Sequence, residues 1–209
     1  RYEALAAPLA SRVVTRMRGA LTRARTPGGV SSLGRVIADA QLAATREAGA
    51  EVAFMNAGGI RAAVAPVLGP DGLGDVTYGM LFAAQPFNNL LVTMSLSGAQ
   101  ILEVLNGQFQ GERTRFLDAS SNLAYRWRAA GPEGREIIPE SIRISGAPLD
   151  RARTYRVTVN AYMASRGAFA EGTDRVNGPV DLDALVAYLE RSNPFEVPPL
   201  RGVELASRP

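Results

Sequence analysis

Apolar residues recur every four positions at the start of the chain, where Leu5, Leu9 and Val13 predict a helical segment giving way to a strand over residues 13–17. Loop chemistry follows in Thr26-Pro27-Gly28-Gly29. The stretch SSLGRVIADAQLAATREAG then begins with serine N-cap candidates and repeats Leu33, Ile37, Ala40 and Ala44 on one face, which predicts a helix closing at Gly49. In AEVAFMNAGG, a short apolar run halted by glycines reads as a buried strand opening into a loop. LLVTMSLSGAQILEVLNGQ reads as a strand, a Ser-Gly turn and a helix carrying Ile101, Leu102 and Leu105.

From Leu123 the period falls to two. Leu123, Tyr125 and Trp127 alternate with polar partners, and SIRISGAPLDRARTYRVTVN reads as two strands around a Gly-Ala-Pro turn. DLDALVAYLERSNP supplies a last helix with Asp181 as its cap, Leu182, Leu185, Val186 and Leu189 turned inward, and Asn193-Pro194 as its stop. Such a mixture predicts an α/β (α+β) fold with more than one sheet. At 209 residues the chain suits one domain, with residues 1–25 as a connector leading into it. It begins at Arg1 without a methionine and reads as a fragment of something longer, and no apolar run approaches the ~18 residues of a membrane span.

Composition narrows the chemistry. There is no histidine and no cysteine, so Ser-His-Asp and Cys-His mechanisms are excluded, as is an imidazole or thiolate metal site. All 23 basic residues are arginine, and the net charge of +3 is modest. The densest basic group, Arg12, Arg16, Arg18, Arg23 and Arg25, reads as a solvated face rather than a nucleic-acid surface.

Candidate binding chemistry concentrates in FMNAGGIRA, residues 54–62. Here an amide able to read a polar edge, a backbone bare enough to touch a ligand and a planar cation fall within six positions. Taken alone, that stretch also suits an ordinary strand-terminal turn. With VTYGMLFAAQPFNN, VTMSLSGAQILEVLNGQ and YRVTVNAYMASRGAF, it resembles the C-terminal domain of the 5'-nucleotidase family, which includes nucleotide and UDP-sugar hydrolases. The resemblance runs from about Arg12 to Leu189 and implies a mixed-sheet, four-layer α/β/β/α domain.

The resemblance further implies a division of labour. An N-terminal metallophosphoesterase domain of the same polypeptide, absent from this chain, would hold two divalent metal ions and perform hydrolysis. The C-terminal domain would bind the nucleoside part of a nucleotide, with no cofactor of its own, and by itself should hydrolyse no phosphate ester. Asn56 matches the asparagine that approaches the base, Gly58 and Gly59 the glycine pair, and Arg61 the arginine on the ribose or phosphate side. Phe87 and Phe169 match two aromatics that sandwich the base. Phe87, after Pro86, would by default be a core residue, whereas Phe169, in a loop between Gly167 and Gly172, suits a core role less. Asp174 is the nearest candidate for an aspartate on the ribose hydroxyls, and Arg25 for an arginine ahead of the first helix.

The sequence departs from the family pattern in three places. SRGAF stands where Gly-Gly-Asp-Gly-Phe is usual, Val30 occupies an acidic position, and Arg35 stands where asparagine is common. The same resemblance implies a secreted, periplasmic or cell-wall location. A second reading remains open: a non-catalytic ligand-binding or cell-surface interaction module on the same fold.

Overall fold

The computed structural model describes residues 8–110, 114–130 and 134–206. The first strand, β1 (Val13–Met17), pairs antiparallel with β3 (Gly74–Thr77) in a two-stranded sheet and buries Val14 and Met17. Residues 1–7, where the predicted helical start begins, lie outside the described residues.

Local chemistry accounts for the helix starts. α1 (Ser32–Ala44) begins where the Ser31 hydroxyl accepts the Gly34 amide, as the serine cap predicts. It ends before Gly49 because Thr45 turns its hydroxyl back onto the Gln41 carbonyl, after which a 3-10 turn over Arg46–Ala48 leads into left-handed Gly49. α2 (Tyr78–Ala84) is capped by Thr77. β4 (Leu90–Ser97) passes directly into α3 (Gly98–Gly107) through a capping box in which Ser97 and Gln100 satisfy each other's backbone amides. Glycine is required at 98, since a Cβ there would sit 2.1 Å from the Asp150 carbonyl oxygen. The last helix, α5 (Asp181–Glu190), is shorter than its stop signal suggests, and Asp181 is its first residue rather than its cap.

The central sheet has the order β10-β4-β9-β2-β5, formed by β2 (Val52–Asn56), β5 (Leu117–Ala119), β9 (Thr154–Asn160) and β10 (Thr173–Val180) with β4. β2 and β9 run parallel at its middle and the remaining pairs are antiparallel. A second sheet, β11-β6-β7-β8, joins β6 (Leu123–Ala130), β7 (Gly134–Ile144), β8 (Ala147–Pro148) and β11 (Val203–Leu205).

The two strands expected around the Gly-Ala-Pro turn therefore exist but belong to different sheets. Ser145 and Gly146, at φ 51° and 81°, turn β7 onto the two-residue β8, and the chain then crosses to the central sheet as β9.

The central sheet separates two cores. Met55 faces the core formed with Leu33, Val36, Ile37 and Ala40 of α1 and Leu182, Leu185 and Leu189 of α5. Val52, Phe54, Met94 and Val157 face the other core, where Leu123, Tyr125 and Trp127 of the second sheet and Ile101, Val104 and Leu105 of α3 meet them. This is the mixed α/β architecture with more than one sheet that the alternating periodicities predict.

Candidate functional site

β2 delivers Asn56 to the end of the central sheet, and the chain turns at once through the 3-10 segment Ala57–Gly59. Asn56 makes no cap to that turn. Its Oδ1 instead accepts Nδ2 of Asn160, 3.1 Å away, at the end of the parallel neighbour β9. Asn160 is buried, and its own Oδ1 accepts the Met163 amide, capping the short helix α4 (Ala161–Ala164). One buried amide thus fixes both Asn56 and the start of α4. Among the described residues Nδ2 of Asn56 has no hydrogen-bond partner.

Two adjoining cavities share this floor. The smaller, of about 360 Å³, is lined by Asn56, Gly58, Gly59, Arg61, Phe87, Asn89, Asn160 and Tyr162. The larger, of about 580 Å³, also touches Asn56, Gly58 and Tyr162, and extends over Phe169, Phe116, Met163, Val104, Arg25 and Arg166. Both volumes lie in the range of small-molecule sites.

In the smaller cavity the Arg61 guanidinium stands 5.9 Å from the centre of the Phe87 ring, and its Nη1 reaches the Gly58 carbonyl at 3.5 Å. Gly58 and Gly59 differ in what they do. A Cβ on Gly58 would meet only Nδ2 of Asn56, at 3.4 Å, whereas one on Gly59 would fall 2.5 Å from the buried Met55 methyl and 3.1 Å from Oδ1 of Asn56. The second glycine lets the turn pack on β2, and the first leaves room in the cavity.

The two candidate aromatics exchange the roles that sequence position suggests. Phe87 is 52% exposed, while Phe169 is 6% exposed and packs its ring at 5.8 Å and 57° to Phe54 in the core. The expectation that the loop position of Phe169 leaves it little core role is corrected: the 3-10 segment Gly167–Glu171 turns the ring inward. Phe87 and Phe169 line different cavities.

Asp174 is not brought to either cavity. It lies on β10 at φ 48°, its carbonyl accepting Nη1 of Arg156 and its Oδ2 accepting the Thr173 hydroxyl.

Arg25 does border the larger cavity, but its guanidinium is held by protein. It donates to both carboxylate oxygens of Asp118, Nη2 to Oδ2 at 2.8 Å, and to the carbonyls of Gly29 and Phe116. Asp118 is wholly buried and also accepts the Ser31 amide and hydroxyl. Burial pushes its carboxyl above the usual carboxylate range, with Arg25 and Ser31 pulling the other way.

Gly34 of α1 faces the same carboxylate, and an added Cβ would sit 2.1 Å from Cγ of Asp118. Gly34→Ala is therefore expected to displace the carboxylate from Arg25 and lower stability by about 1–3 kcal/mol, read as a reduced urea midpoint.

The departures from the family pattern also find physical reasons. Val30 is buried in the same apolar core as Trp127, where a carboxylate would lose its hydration. Arg35 is buried too, donating to the Ser120 and Arg201 carbonyls, and so ties α1 to the segment before β11. The basic residues at the start of the chain are engaged by protein groups: Arg12 with Glu190, Arg16 with Asp71 and Asp75, Arg18 with the Asp71 carbonyl and Arg23 with that of Arg61.

Sequence reasoning passed over Tyr162, Asn89 and Asn160, all of which line the smaller cavity. The signal for Asn160 and Tyr162 was the polar break that follows the apolar strand, Val159-Asn160-Ala161-Tyr162.

Known proteins resemble this chain in sequence and fold. The family model described as "5'-nucleotidase, C-terminal domain" matches residues 11–172. A cell wall protein of Listeria monocytogenes is 35% identical over 66% of this chain and 18% of its own length. Protein UshA of Escherichia coli is 27% identical over 80% of this chain and 28% of its own length. The crystal structure of a 5'-nucleotidase precursor from Thermus thermophilus matches with a TM-score of 0.80 and 32% identity, over 100% of this chain and 42% of that one. The matches thus span between 18% and 42% of the length of these relatives.

Its residues do not suit a dinuclear metal centre. Histidine is absent from the sequence, and among the described residues no three acidic side chains gather into a metal-sized group. Among the same residues no helix is long and apolar enough to cross a membrane.

Proposed function

Because the chain belongs to the family of 5'-nucleotidase C-terminal domains, we propose that it recognises the nucleoside part of a nucleotide for a larger phosphoester hydrolase. Hydrolysis, on this reading, takes place at two divalent metal ions in a metallophosphoesterase domain of the same polypeptide, outside this chain. Residues 1–209 then act as one recognition domain.

The observation that carries the reading is the smaller cavity. It joins aromatic rings, an arginine and the amides of Asn56, Asn89 and Asn160 within about 360 Å³. Aromatic faces suit the plane of a base, amides suit its donor and acceptor edge, and a permanent cation suits a ribose or phosphate oxygen. Asn56, Gly58, Gly59, Arg61 and Phe87 are the binding residues in this proposal. The similarity to a protein named for the cell wall supports a place for the parent protein at or beyond the cell surface, secreted, periplasmic or wall-associated.

Titration of the isotope-labelled 209-residue chain with adenosine tests the reading. Stacking contributes ~1–3 kcal/mol per base, and the entropy of association subtracts from it, so a millimolar dissociation constant is expected. Amide shifts should cluster at Asn56, Gly58, Arg61 and Phe87. Shifts confined to other surfaces, or none at tens of millimolar, would overturn it.

A further inference from the structure

We infer that Tyr162, rather than Phe169, is the aromatic partner of Phe87 in the base-binding cavity, an assignment that rests on the nucleoside reading above. Tyr162 lines both cavities, whereas Phe87 lines only the smaller and Phe169 only the larger. The two candidates also differ in the ring surface they can offer. Tyr162 is 52% exposed, whereas Phe169 is 6% exposed and committed to Phe54. With so little of its surface open, Phe169 offers the larger cavity only a small stacking area.

The direction in which Tyr162 faces follows from its neighbour. The guanidinium of Arg166 lies 3.7 Å from the Tyr162 ring centre and covers one face of it. Arg166 is held there, its Nη1 donating to the Tyr162 carbonyl at 2.6 Å and to the Ser165 hydroxyl at 3.0 Å. Arg166 lines the larger cavity and not the smaller. On this assignment the face that Arg166 leaves uncovered is the one offered to the cavity of Phe87.

The position of the ring is built as well. Tyr162 is the second residue of α4, whose start is capped by Asn160, the residue that also holds Asn56. Ring and edge-reading amide are thus set by one buried hydrogen-bonded group. The Ser-Arg-Gly-Ala-Phe loop, where the sequence departs from the family, supplies the arginine that braces this tyrosine.

Adenosine affinities of four 209-residue chains decide the matter: the unsubstituted protein, Tyr162→Ala, Tyr162→Phe and Phe169→Leu, each followed by amide shifts. Tyr162→Ala should bind about fivefold to a hundredfold more weakly, the range that loss of one stacking face gives. Tyr162→Phe keeps the ring and should stay within about twofold of the unsubstituted chain, as should Phe169→Leu, although the latter should melt earlier. The assignment is overturned if Tyr162→Ala binds as the unsubstituted chain does, or if a folded Phe169→Leu loses as much as Tyr162→Ala. Should Phe169→Leu fail to fold, the comparison of Tyr162→Ala with Tyr162→Phe still decides. An unsubstituted chain that shows no shifts at tens of millimolar adenosine overturns the nucleoside reading itself, and this assignment with it.

Discussion

Phe169→Ala is expected to lower the free energy of unfolding by about 3–5 kcal/mol, the cost of removing a buried aromatic ring and leaving a cavity behind. The side chain is almost fully buried and packs on Phe54 at the centre of the larger core, with Met163 and Val104 in the same cluster. The ring sits in a short 3-10 segment, so helix propensity offsets none of this loss. In a domain whose total stability is typically ~5–15 kcal/mol, that is a large fraction. Urea unfolding followed by circular dichroism measures it. A loss below about 1 kcal/mol would mean that the ring is peripheral and free to serve a ligand, as its loop position in the sequence suggests.

Arg25→Ala is expected to cost about 3 kcal/mol, because it leaves the wholly buried Asp118 carboxylate without its cation. The figure is taken at the low end of the range for buried pairs because Arg25 itself is partly open to solvent. The loss should also depend on pH. Burial already holds the Asp118 carboxyl above its usual range, and Arg25 is the strongest influence drawing it back down. Removing the arginine raises that folded-state value further, while the unfolded value stays near ~3.9. The folded variant then binds the Asp118 proton more tightly than the unfolded chain does. Its deficit should be complete at neutral pH and shrink as pH falls through the raised folded value toward the unfolded one. Urea midpoints of the variant and the unsubstituted chain at pH 7.5 and 4.5 read this directly. A deficit that persists or grows on acidification would show that Arg25 does not act through the ionised Asp118 carboxylate. In a double-mutant cycle, Arg25→Ala and Asp118→Ala should together cost less than the sum of the two.

What could be read from the sequence was what local chemistry decides. The start of α1 at Ser31, the junction of β4 and α3 at Ser97-Gly98 and the alternation of β6 all depend on residues within a few positions of one another. Strand partnership was less legible. β7 and β9 look like neighbours around one turn, yet β9 finds its partners in β4 and β2, and the pairing of Val52 with Val157 spans more than half the chain.

The candidate site divides in the same way. Asn56, Gly58, Gly59, Arg61 and Phe87 come together in one cavity because four of them lie within six positions on one turn and α2 packs beside it, its Ala84 carbonyl accepting the Arg61 amide. Phe169 and Arg25 meet Asn56 and Gly58 only in the larger cavity, and Asp174 lines neither. Their environments are set by distant groups: Phe54 for the ring, Arg156 for the Asp174 carbonyl, and Asp118 for the guanidinium. Tyr162 escaped notice for the converse reason. A tyrosine after a strand is an ordinary surface residue until Asn160 and Arg166 are seen to fix its place.

The claim that the smaller cavity holds a base is tested most directly by isotope-filtered nuclear Overhauser measurements on the labelled 209-residue chain with saturating adenosine. The account predicts cross-peaks from the base protons to the ring of Phe87 and to the Asn56 side-chain amide. Cross-peaks to residues that line only the larger cavity, such as Phe116 and Val104, with none to Phe87, would contradict it.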